Sequence, residues 1–145
     1  MHRNRRFPRD TGRAMSEENV EMIQRAFGSG DPGDAWVELL HTDVELLGAI
    51  GGMEEGSVTV GREAVTQALL VDSEIWAERR MELQRAIDAG DQVVALVHEC
   101  RRGKGSGVTV EADIALVYGF REGKVLRIEP YMSQVEALEA AGLSD

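Results

Sequence analysis

The sequence predicts an α+β fold: a sheet of about five antiparallel strands packed over three helices, with a short helix at the C-terminus. Three observations predict it. Asp91 to Met132 reads as three long apolar strands joined by glycine-bearing turns, Gly103/Gly105/Gly107 and Arg121-Glu122-Gly123-Lys124. The residues before this meander carry apolar side chains at helical spacing. Ser133 and Glu136 form a capping box that opens a last helix, Gln134 to Ala141, stopped by Gly142.

Taken in order, Met1 to Ala14 holds Arg3, Arg5, Arg6, Arg9 and Arg13 against Asp10. This polar stretch is expected to be a basic, disordered extension of a single domain spanning residues 15–143. Ser16 is a good N-cap, with Glu17 and Glu18 in the first turn and Val20, Ile23, Ala26 and Phe27 on one face. Asp31-Pro32 restarts a short helix bearing Trp36, Leu39 and Leu40. His41-Thr42-Asp43 reads as a break, Val44 to Ile50 as a strand, Gly51 to Ser57 as a loop and Val58 to Val60 as a short strand. A third helix runs from Gly61 to about Ser73, with Ala64, Val65, Ala68 and Leu69 periodic. Met81 to Asp88 reads as a strand with Met81, Leu83 and Ile87 on one side. Gln92 to Arg102, Val108 to Phe120 and Lys124 to Met132 are the meander strands.

A length of 145 residues suits one domain with a real core. The formal charge of −10 argues against nucleic acid and against anionic membranes as partners. No run is long and apolar enough for a membrane span, and the basic start lacks the apolar middle of a secretory signal. One cysteine, Cys100, rules out an internal disulfide and fits a cytoplasmic location. His2, His41 and His98 are far apart with no metal-ligand spacing, so neither a metal nor another cofactor is expected.

In their order and spacing, several pieces resemble the SnoaL-like branch of the nuclear transport factor 2-like superfamily, small actinobacterial members especially. They are Met15 to Val20 with Arg25-Ala26-Phe27; Asp43-Val44-Glu45; Gly61 to Val65; Ala89-Gly90-Asp91; Gly105 to Val108; Arg121 to Val125; and Tyr131 with Glu136 to Gly142. The resemblance implies a cone, a curved antiparallel sheet of the cystatin-like kind with a pocket inside and a homodimer through the sheet's outer face. Ala115, Val117 and Tyr131 would be covered by that dimer. Steroid isomerases of this fold use a carboxylate base, a tyrosine and a protonated aspartate. Leu46, Phe27 and Leu116 stand near those positions, so that arrangement is not expected here.

The resemblance also places Val94, Leu96, His98 and Cys100 on the concave side, with Ile114, Leu116, Tyr118, Ile128, Pro130 and Met132. Phe27, Trp36, Leu46 and Trp76 close the pocket from the helical side. Such an apolar, aromatic wall suits a small hydrophobic molecule. His98 is the candidate acid/base and Tyr118 the candidate hydrogen-bond donor. Glu99, Asp113 and Glu129 are expected on the face opposite His98. Three functional readings follow: a small hydrophobic-ligand binder; an isomerase, cyclase or hydrolase acting on a carbonyl-bearing compound through His98; or a non-catalytic dimerisation module.

Overall fold

The computed structural model describes residues 16–28 and 34–143, with the backbone alone at 34–35 and 70–78. Met1 to Ala14, the Asp31-Pro32 cap and the Trp76 side chain lie outside the described residues. A helix, α1, runs through residues 16–28. It is followed by α2 (Asp34–Leu39), β1 (Leu40–Leu47), β2 (Val58–Val60), α3 (Arg62–Ile75), β3 (Trp76–Asp88), β4 (Gln92–Gly103), β5 (Thr109–Arg121), β6 (Lys124–Tyr131) and α4 (Gln134–Ala140). The sheet has six strands, in the order β2-β1-β6-β5-β4-β3, and is open, since β2 and β3 are unpaired edges. Two details correct the sequence reading. The sixth strand arises because β1 and β2 both join the meander, and β1 pairs with β6 in parallel, Leu46 beside Ile128. No helix among the described residues is long and apolar enough to cross a membrane.

The elements follow local chemistry. The β5–β6 turn forms where Glu122 and Gly123 both take positive φ, 54° and 78°, the backbone a two-residue hairpin requires. β1 begins at Leu40, directly after α2, and the expected break at His41-Thr42-Asp43 is instead a register shift within the strand. There His41 Nδ1 accepts from the Asp43 N–H at 3.0 Å. β3 starts at Trp76, earlier than Met81. Its bulge between Leu83 and Arg85 sends Ile87 to the face opposite Leu83, because one extra residue inverts strand parity.

Two apolar clusters flank the sheet. On the concave side Val93, Ala95 and Val97 of β4 and Ile114, Leu116 and Tyr118 of β5 pack with Leu40, Val44, Val125 and Ile128, covered by Ile23 of α1 and Val65 of α3. Ile23, Val44, Val65, Val93 and Val97 are fully buried, and each contributes roughly 1.5–3 kcal/mol. Ala64, expected on this face of α3, points to solvent. On the convex side Val94, Ala115, Val117 and Tyr131 pack under Ala137 of α4. The chain therefore covers with its own last helix the patch assigned to a dimer contact.

α4 is well fixed at both ends. The Ser133 hydroxyl accepts from the Glu136 N–H at 3.2 Å. At the other end Gly142, at φ 76°, lets the Leu143 N–H reach the Leu138 carbonyl at 2.8 Å, and Leu143 packs onto the convex cluster.

Candidate ligand-binding site

Strand register decides which side chains face the helices. Four residues, Lys104 to Gly107, connect the last paired residues Gly103 and Val108, whose backbone bond is 3.0 Å. An odd-numbered residue of β4 therefore faces an even-numbered one of β5: Val93 opposite Tyr118, Ala95 opposite Leu116, Val97 opposite Ile114. With Ile114, Leu116 and Tyr118 inward, β4 must present Val93, Ala95, Val97, Glu99 and Arg101 inward.

This register corrects the placement of Val94, Leu96, His98 and Cys100. All four lie on the convex face, Val94 and Leu96 in the cluster beneath α4. His98 lies opposite Asp113, and its ring nitrogens are 2.8 Å from Asp113 Oδ1 and 3.1 Å from Glu111 Oε1. Asp113 thus shares a face with His98 instead of opposing it. Hydrogen bonding to Asp113, then to Glu111, raises the imidazole above its ordinary pKa. Glu55, in the loop between β1 and β2, accepts from the Gly51 N–H at 2.9 Å.

Phe27, Trp36, Leu46, Ile114, Leu116, Tyr118 and Ile128 do come together on the concave side. Pro130 shares that face, being paired with Leu116. Met132 lies beyond the end of β6 and is 50% exposed. Trp36 sits between two rings, edge-on to Phe27 at 5.3 Å and stacked on Tyr118 at 5.4 Å. Tyr118 is 3% exposed, so it is a core residue and not a rim tyrosine. Burial pushes its phenol well above the usual tyrosine range, against a smaller opposing pull from the Arg79 charge. Its hydroxyl makes no hydrogen bond among the described residues.

The same face carries a charged group that sequence reading missed. Glu99 is 5% exposed. Arg79 of β3 donates to Glu99 Oε2 from Nε at 3.2 Å and from Nη2 at 3.1 Å. Arg101 Nε lies 2.7 Å from Glu99 Oε1. The two arginine side chains are 22% and 27% exposed.

Beyond the cluster, Val110 lies opposite Arg101 and is 50% exposed. The concave face therefore grades from an aromatic, helix-covered end through Ile114 and Val97 to a charged end at the β4–β5 hairpin. The readable signal was Glu99 and Arg101, two apart on the face that otherwise carries Val93, Ala95 and Val97, which marks that face with a carboxylate and a guanidinium. Two surface hollows lie elsewhere, one by Thr42, Gly61, Arg62 and Gln67 at the start of α3, the other by Glu17, Val20 and Asp88. No group of three or more metal-ligating side chains occurs among the described residues.

A curved open sheet with helices gathered on its concave side defines an α+β domain of the nuclear transport factor 2-like type. The chain belongs to the SnoaL-like domain family, whose model matches residues 20–128. Solved structures share the fold. TerC, co-crystallised with polyporic acid, is 21% identical with a TM-score of 0.67, covering 86% of this chain and 98% of that one. Bal32a, from a soil-derived mobile gene cassette, is 19% identical with a TM-score of 0.70, covering 87% and 97%. A protein with a ketosteroid isomerase-like fold from Catenulispora acidiphila DSM 44928, in complex with trimethylamine, is 19% identical with a TM-score of 0.64, covering 85% and 93%. No curated protein sequence matches the chain significantly.

Proposed function

We propose that this protein binds a small, largely apolar molecule on the concave face. The molecule's body lies toward Phe27, Trp36 and Tyr118, and its polar end meets Arg79, Glu99 and Arg101. The observation that carries this reading is the Arg79–Glu99–Arg101 group, a buried carboxylate held between two half-buried guanidiniums. Well-packed apolar residues stabilise a core at least as well as a buried ion cluster does, so charges kept inside a pocket fold point to recognition. Glu99 orients the Arg79 guanidinium by two hydrogen bonds and keeps Arg101 beside it as an ion pair, and guanidinium N–H groups suit the oxygen atoms of a carbonyl, phenolate or carboxylate. The neighbours crystallised with polyporic acid and with trimethylamine support a small organic ligand, although at those identities the likeness is one of fold.

The enzymatic alternative needs a proton-transfer group on the concave face. His98 and Cys100 stand on the other side of the sheet. Glu99 is committed to two arginines, and the buried Tyr118 phenol is suited to donate a hydrogen bond and keep its proton. Binding is therefore the reading the geometry favours.

Native mass spectrometry of the purified protein tests it. The expected result is a retained small molecule that leaves on unfolding, with retention weakened by Arg101→Gln. A protein that carries nothing and takes up no aromatic acid or phenol from a mixture would count against it.

A further inference from the structure

The convex face holds a second charged arrangement that ligand binding does not use. His98 sits between Asp113 Oδ1 at 2.8 Å from Nδ1 and Glu111 Oε1 at 3.1 Å from Nε2. A neutral imidazole has one N–H, so both contacts are hydrogen bonds in the imidazolium alone. On β3, Glu82 stands opposite His98 and Arg80 opposite Cys100. α4 carries Glu136 and Glu139, and it meets this cluster through Gln134. Gln134 donates to Gln84 at 2.9 Å, and Gln84 donates to the same Asp113 oxygen at 3.3 Å.

Beyond His98 the hairpin has little apolar anchorage. Val108 and Val110 are 59% and 50% exposed, and Lys104 to Gly107 are all exposed. The far end of β4–β5 is thus held by backbone pairing and by two charged clamps, Arg79–Glu99–Arg101 on the concave side and Glu111–His98–Asp113 on the convex side.

We propose that His98 is a pH-operated clamp on the far end of the β4–β5 hairpin, closed as the imidazolium and loosened when the ring loses its proton. The neutral ring can donate to one carboxylate and turns a lone pair toward the other. Glu82, Glu111 and Asp113 then repel one another without the cation that offset them, and like charges across strands weaken pairing. The effect crosses the sheet, because Glu99 follows His98 in β4 and Arg101 comes two residues later. Loosening the hairpin moves part of the concave charged group with it. The hydrogen bond to Asp113, then that to Glu111, favours the charged ring, so the change falls above the ordinary histidine pKa of about 6.5.

Amide hydrogen exchange on the full chain without ligand, corrected for the intrinsic pH dependence of exchange, tests the clamp. Between about pH 6 and about pH 9, a range that brackets histidine titration, residues 100–110 should lose about two- to tenfold in protection, the equivalent of one hydrogen bond. β6 should not change. His98→Gln should abolish the pH response, and Glu111→Gln should reduce it. Both positions are partly exposed, so the fold should survive. Unchanged protection in a range where the His98 ring is seen by NMR to titrate overturns the proposal. So does a His98→Gln variant that keeps the full response.

Discussion

Arg79 reaches across from edge strand β3 to Glu99 on β4, and its Nε and Nη2 both meet the same carboxylate oxygen, at 3.2 and 3.1 Å. Arg101 meets the other oxygen from within β4. One carboxylate thus positions two cations on the concave face.

Glu99→Leu should destabilise the protein by about 3 kcal/mol, the lower end for breaking a buried pair, because both arginines keep some contact with solvent. Urea unfolding measures this. A double-mutant cycle with Arg79→Met should show strong coupling, since Glu99 loses less when one cation has already gone. Additive losses would mean that the two side chains do not depend on each other.

Tyr118→Phe should change stability by less than about 1 kcal/mol, because the hydroxyl makes no hydrogen bond among the described residues and the ring keeps its stacking on Trp36. Ligand retention in native mass spectrometry should fall. A large loss of stability with unchanged retention would place the hydroxyl in structural service only.

Stability should depend on pH through His98. Its pKa is raised in the folded state, so the charged ring contributes fully below the unfolded value of about 6.5. That contribution disappears as pH rises through the higher folded value. The difference in melting temperature between wild type and His98→Gln should therefore be largest in mild acid and shrink on the alkaline side. A difference that grows with pH would reverse the sign and contradict the geometry.

A homodimer through the convex face is expected to use the strip of β3, β4 and β5 around Arg80, Glu82, His98, Arg102 and Glu111, where charges of both signs can pair across a two-fold axis. Sedimentation at micromolar concentration should give a dimer. A monomer would show that α4 covers enough of the convex cluster alone.

Removing Met1 to Ala14 should leave the melting temperature unchanged, since the segment is polar and precedes the matched region, residues 20–128. A drop of several degrees would show that it docks on the body.

The meander strands, their turns and the Ser133 cap were legible because long apolar runs, glycine at positive φ and a capping hydroxyl are local signals. Leu40 was read into a helix because it extends the Trp36–Leu39 spacing, and only its pairing with Val125 makes it a strand residue. The face of His98 was not legible from β4 alone. Val94 and Leu96 are as apolar as Val93, Ala95 and Val97, since α4 covers one face and α1 and α3 the other. Parity had to come from counting the loop between Gly103 and Val108. Arg79 was hidden by the irregular start of β3, where Glu78, Arg79 and Arg80 show no alternation.

The parallel pairing of β1 with β6 has a consequence for how the molecule assembles. Leu40 lies beside Val125, and Lys124 Nζ donates to the Glu38 carbonyl across 86 residues of chain. A chain leaving the ribosome can pair β1 with β2 early, but that pair has no seat in the rest of the sheet until β6 has emerged, so the first two strands wait for the last. The hairpins of β3 to β6 can form from near neighbours, whereas closing β1 and β2 onto them carries most of the loop-closure cost. Folding should finish at that seam, and a truncated chain lacking β6 would leave β1 and β2 unseated.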